Sequence, residues 1–159
     1  MVPAPGGIDR EKLTLSQAAQ YLLDETRMVL PGIQALFGFQ LIVVFSERFE
    51  ELNHFEQDLH FAAITLVVIS IALLMTPAAY HRHQEAYEVT HTFVVVCTRL
   101  LLAGMAPLSV ALCLDLYLIG QLIVDASIAK AVAWAAFALL VFFWGVFPRF
   151  RFLRHALAG

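Results

Sequence analysis

The stretch "LLLAGMAPLSVALCLDLYLIGQLIV", Leu100 to Val124, decides the fold. Its one formally charged residue is Asp115, and it is longer than the roughly 20 helical residues that cross a hydrocarbon core. A helix pairs its own backbone groups, whereas an open strand in lipid cannot. The stretch also lacks the alternation of a barrel strand. It therefore reads as a transmembrane helix. Three more stretches pass the same test: "MVLPGIQALFGFQLIVVF" (Met28 to Phe45), "FAAITLVVISIALLMTPAAY" (Phe61 to Tyr80) and "IAKAVAWAAFALLVFFWGVF" (Ile128 to Phe147).

The expectation is an all-α integral membrane protein. It would be a four-helix transmembrane bundle with spans at 28–45, 61–80, 100–124 and 128–147. Composition agrees: 60% of the 159 residues are hydrophobic, 14% are charged, and the mean hydropathy is +0.77. Soluble domains hold about 45–50% apolar and about 25% charged residues. A soluble core of this size cannot enclose so much apolar surface, so the lipid bilayer is the first partner.

Basic residues set the expected orientation. Arg10, Lys12 and Arg27 precede the first span, Arg82 and Arg99 lie between the second and third, and Arg149, Arg151 and Arg154 follow the fourth. Only Arg48 and Lys130 fall on the other side. The positive-inside rule then places both termini in the cytoplasm, with the spans in the cell's inner (plasma) membrane. The first connection sets Glu47, Glu50, Glu51, Glu56 and Asp58 against Arg48 alone, which reads as a solvated acidic loop.

Outward from the spans, residues 1–13 form a Pro- and Gly-rich arm, read as flexible and without the apolar core of a secretory signal. Thr14 and Gln17 have capping-box spacing. Apolar residues then recur at helical spacing, so 14–27 is expected as an amphipathic interfacial helix ending at "LPG". One continuous, mildly kinked first helix fits the same residues. Pro107, beside Gly104 and Ser109, marks a kink in the third span. Residues 148–159 alternate aromatics with arginines. Arg149, Arg151 and Arg154, with Trp134 and Trp144 of the fourth span, suit membrane anchoring and not nucleic-acid binding. Cys97 and Cys113 lie on one apolar run, roughly 24 Å apart if helical, too far for a disulfide.

The segments "LLDETRMVLPGIQALFGFQLIVVFSERFEEL", "MTPAAYHRH" and "TRLLLAGMAPL" resemble a family of small bacterial four-span membrane proteins known as a domain of unknown function. The likeness runs roughly from Leu22 to Leu108. It implies a topology, and it brings no activity, substrate or catalytic residue.

Two constellations carry candidate chemistry. Asp115 sits fifteen residues into the third span, and a central Asp costs roughly 3 kcal/mol on insertion scales. It should face protein or water, where such acids either mark ion paths or lock helix packing. Candidate partners are Gln34 and Gln40 on the first span, Thr65 and Ser70 on the second, and Gln121 on its own helix. Gln34 and Gly38, four residues apart, set an amide beside a small residue on one face, which suits helix packing. The second constellation is His81, Glu85, Glu88 and His91, spaced 4, 3 and 3. One continuous helix would put these four on a single metal-binding or hydrated face. His54 and His60 fall in the first connection, across the membrane from that set. All six histidines lie outside the apolar centres of the spans, which disfavours haem.

No nucleophile elbow, phosphate loop, H-E-x-x-H or C-x-x-C occurs. The expectation is no enzyme and no cofactor, with a metal left open. The chain reads as an accessory or scaffold subunit in a homo-oligomer or larger membrane complex. Two alternatives stand: an oligomeric ion or proton channel using Asp115, and a membrane metal sensor using His81, Glu85, Glu88 and His91.

Overall fold

The computed structural model describes residues 13–84 and 90–149. Among them the regular elements are all helices. They are α1 (Leu15–Val43), α2 (Glu47–Glu50), α3 (His54–Gln84), α4 (His91–Ile123) and α5 (Ala126–Leu140). The last runs on through a π-helical turn (Val141–Val146) and a 3-10 turn (Phe147–Arg149). α1, α3, α4 and extended α5 are long and apolar enough to cross a membrane, as expected, and the chain is a multi-pass membrane protein.

Each helix begins before the apolar stretch that announced it. α3 starts at His54, well before Phe61, and α4 starts at His91, well before Leu100. α1 opens on the expected capping box. Gln17 N–H donates to Thr14 Oγ1 at 3.3 Å, and Thr14 N–H donates to Gln17 Oε1 at 2.9 Å. It then continues through Pro31. Residues 14–27 and the first span are therefore one helix, the second of the two readings that the sequence allowed. Proline removes a single backbone bond, and a helix in lipid has nowhere else to satisfy the rest. α4 likewise runs on through Pro107.

α3 and α4 form the central antiparallel pair, α1 packs on both, and α5 packs against α4. The pairing reads from one end to the other as Tyr80 with Phe93, Ser70 with Gly104, His60 with Asp115, and Glu56 with Gln121. Buried residues follow a coiled-coil period. On α1 they are Ala19, Thr26, Ile33 and Gln40, seven apart. On α3 they are His60, Ala63, Val67, Ser70, Leu74 and Pro77. On α4, Phe93, Cys97, Leu101, Gly104, Leu108, Ala111 and Leu118 form the same kind of stripe. Alternating steps of three and four keep one seam facing the neighbouring helix. The opposite faces carry exposed Phe39, Phe61, Leu102 and Trp134, as lipid contact requires.

Small residues set the closest approaches. A Cβ on Gly104 would lie 3.1 Å from Leu74 Cγ. That proximity lets the fully buried Ser70 donate from Oγ to the Gly104 carbonyl at 2.8 Å. A Cβ on Gly120 would lie 3.0 Å from Ala129 Cβ, the point where α5 meets α4. Cys97 and Cys113 form no disulfide.

Gly104→Val should lower the stability of the purified protein by about 1–3 kcal/mol, the usual range for overpacking. Gly38→Ala, where nothing lies within 4 Å, should not lower it, since alanine is the better helix former. Unfolding midpoints in detergent, measured side by side, check the contrast.

Candidate functional site

Three polar residues from three helices meet near the end of the bundle that carries the α1–α3 and α4–α5 connections. Gln40 of α1 donates from Nε2 to Asp115 Oδ2 of α4 at 2.7 Å. His60 of α3 lies with Nε2 2.9 Å from the Gln40 backbone carbonyl. A carbonyl oxygen only accepts, so this nitrogen carries hydrogen and donates. The other ring nitrogen, Nδ1, faces Asp115 Oδ1 at 3.9 Å. Gln40 and His60 are 3% and 5% exposed, and the Asp115 side chain 13%.

The helices deliver these groups by register. Gln40, His60 and Asp115 each stand seven residues from Ile33, Val67 and Leu108, which share one buried apolar cluster. The triad is the next layer of the same seam. At 1.5 Å per residue it lies roughly 5–12 Å inside the helix ends. α2 and its flanks close it from outside. The Phe49 ring meets His60 edge-on with centroids 5.4 Å apart, and Leu52 is buried beside it in sequence. Gln57 Nε2 holds that segment through the Leu52 and Phe49 carbonyls, at 3.2 and 3.5 Å.

A second polar pair lies farther out. Gln121 donates from Nε2 to Glu56 Oε1 at 2.6 Å. Glu56 also caps α3, accepting from the Asn53 N–H at 3.0 Å and donating its own N–H to Asn53 Oδ1 at 3.0 Å. Glu56 is therefore a structural member of the bundle and departs from the solvated acidic loop expected for its segment. Glu47, Glu50, Glu51 and Asp58 are exposed, as that reading required.

Of the partners considered for Asp115, the structure joins Gln40 to it. Gln121 bonds Glu56 instead. Ser70 is committed to Gly104, and Thr65 donates back to Phe61 O on its own helix at 2.9 Å. Gln34 is exposed. His60 is the residue that sequence reasoning missed. Placed in the outer connection by hydropathy, it lies instead on α3 and buried, at a heptad step from Val67.

The His/Glu set does not share one helical face between its ends. α3 ends at Gln84 and α4 begins at His91, under a Thr90 hydroxyl that accepts from the Phe93 N–H at 3.2 Å. His81 and His91 thus stand on different helices, and Glu85 and Glu88 lie outside the described residues. His81 meets the Phe93 ring edge-on at 5.6 Å. It also lines a cavity of about 260 Å³ with Thr26, Arg27 and Arg82, where two guanidinium groups oppose a metal cation. Among the described residues, no three of His, Cys, Asp and Glu converge as a metal site would need.

Of the anchoring set, Trp134 is exposed and stacks edge-on with Phe137 at 6.0 Å. Trp144 packs inward on the apolar cluster. Arg149 caps its helix end, donating from Nη1 to the Gly145 carbonyl at 2.6 Å. Arg151 and Arg154 lie outside the described residues.

The chain belongs to DUF6328, a family of unknown function, with a match that spans residues 10–148. This bears out the membership of a family of unknown function that the sequence resemblance implied. No curated protein and no solved structure matches it.

The triad makes a measurable coupling. In a double-mutant cycle of Gln40→Ala with Asp115→Ala, equilibrium unfolding in mixed micelles should give an interaction energy of about 0.6–1.7 kcal/mol. That is the span for interhelical polar pairs in membranes. Additive losses would show that the two side chains do not act together.

Proposed function

We propose that this member of a family without assigned activity is a non-catalytic accessory or scaffold subunit of a larger membrane assembly. The observation that carries the reading is Gln34. It lies nine residues before the end of α1, roughly 14 Å from that end of the helix. Its side chain is exposed and has no hydrogen-bond partner among the described residues. An unsatisfied polar group in hydrocarbon costs several kcal/mol. An amide from a neighbouring transmembrane helix removes that cost.

Gly38, one turn on, leaves the backbone open on that side, with nothing within 4 Å of a built Cβ. Small residues beside polar ones are the packing chemistry of helices that associate in lipid. The inward polar groups support the same reading from the other direction. Gln40, Ser70, Asp115 and Gln121 are engaged within the chain. Beyond the triad the seam continues as Ala63, Val67, Leu108 and Ala111, and the buried Ser70 and Ser109 hydroxyls are spent on backbone carbonyls, so the described residues offer no continuous polar path through one copy. In this reading the distribution of arginine and lysine sets both termini in the cytoplasm of a bacterial cell, with the bundle in the inner membrane.

Native mass spectrometry of the protein extracted from its own membrane should show a complex, either with a second copy or with a different polypeptide. Gln34→Leu and Gly38→Leu should each release it while leaving the unfolding midpoint of the bundle in place. A monomer in the wild type, or a complex that survives both substitutions, would overturn the proposal.

A further inference from the structure

The triad is short of hydrogen. Asp115 Oδ1 and Oδ2, Gln40 Oε1 and the Gln40 carbonyl are all acceptors. The donors facing them are the Gln40 amide and one ring N–H of His60. Because His60 Nε2 is committed as donor to the Gln40 carbonyl, neutral His60 turns a lone pair at Nδ1 toward the carboxylate oxygen 3.9 Å away. Two acceptors then face each other in a buried space. Gln40 Oε1 is buried as well, with no partner among the described residues. Buried polar atoms are almost always paired, and each exception calls for an explanation.

We propose that Gln40, His60 and Asp115 form a one-sided proton-binding site, in which a single proton is taken up at His60 Nδ1 opposite the Asp115 carboxylate. A proton from water adds to the Nδ1 lone pair, giving an imidazolium whose two N–H groups point at the Gln40 carbonyl and at Asp115 Oδ1. No bond other than the new N–H forms, and nothing is oxidised or reduced. The site turns from two facing acceptors into a donor and an acceptor. This inference goes beyond the scaffold reading and does not depend on it.

The surroundings restrict where the proton comes from. On the inward side the next seam residues are Ala63 and Ala111, then Val67 and Leu108, and the buried hydroxyls of Ser109 and Ser70 are committed to the Ala106 and Gly104 carbonyls, so among the described residues no titratable group continues the path through the bundle. On the outward side stand the Phe49 ring and the Glu56–Gln121 pair. The other charged groups of the neighbouring elements, Glu47, Arg48 and Glu50 of α2, Asp58 of α3 and Lys130 of α5, are exposed at the surface. Cys113 and Tyr117 of α4 line the apolar groove toward α5. The proton therefore exchanges with the compartment that the α1–α3 connection faces. Since Gln40 is the α1 residue in this contact, proton occupancy acts on how that end of α1 is seated.

The test is nitrogen-15 NMR of histidine-labelled protein in lipid nanodiscs, with His60 assigned by its loss in His60→Gln. At high pH the signal should be that of a ring protonated at Nε2 alone. On acidification it should gain the Nδ1 proton in one step. In Asp115→Asn the same step should require at least about tenfold more protons, because the opposing carboxylate is gone. Helix content and elution volume confirm folding of each variant. Should Asp115→Asn not fold, infrared difference spectra of the wild type decide, since the same pH step must perturb the Asp115 carboxylate stretch. A His60 signal that never changes, a step unaffected by Asp115→Asn, a silent carboxylate, or a step that follows sodium concentration instead of pH would each overturn the proposal.

Discussion

In lipid, apolar burial between helices brings little net gain, because acyl chains are as apolar as the side chains they replace. What singles out one arrangement must be close fit and polar bonding, and both depend here on a seven-residue step. Ile33, Val67 and Leu108 share a cluster, so their heptad successors Gln40, His60 and Asp115 arrive at the same level. Had any of these polar residues fallen one position off the seam, it would have turned about 100° around its helix, toward lipid or away from its partners. The hydrogen bonds between Gln40 and Asp115 and between His60 and the Gln40 carbonyl are thus the polar continuation of an apolar register. Ser70 works the same way in the middle of the bundle, reaching the Gly104 carbonyl because the glycine lets α3 and α4 approach.

This register also explains what the sequence made legible and what it hid. The spans stood out because twenty apolar residues are a strong signal, and the Thr14 capping box because its two bonds are local. Asp115 could be turned away from lipid, toward protein or water, from the cost of exposing it to hydrocarbon. His60 could not, because hydropathy drew the boundary of the second span at Phe61 and helices do not stop where hydropathy does. The usable clue was period, not polarity: His60, Ala63, Val67, Ser70 and Leu74 step by three and four. Which glutamine meets Asp115 was hidden for a different reason. Gln34 and Gln40 differ by six residues, about 120° around α1, and only the packing of α1 on α3 and α4 says which one points inward. The His/Glu spacing rested on one helix from His81 to His91, whereas Thr90, just before α4, has extended backbone.

The two glutamines give α1 a double character. Gln40 ties its end to α3 and α4, while Gln34, about 9 Å back along the axis, and Gly38, about 3 Å back, present an amide with no partner among the described residues and an open backbone. α1 is held to α3 and α4 chiefly by the apolar seam and by this one polar layer, so its outer face can move only as far as the Gln40 contacts permit. In the scaffold reading, a change at the triad, whether by substitution or by the proposed proton on His60, would bear on the surface offered to a neighbouring helix without any wire of polar residues between them. The rigid body of one helix is the connection. α5 has no comparable tie: its closest approach is apolar, at Gly120 and Ala129. In the scaffold reading, α1 carries one amide on its inner side, Gln40, and another on its outer side, Gln34, and so is the element through which the triad would act on an assembled partner.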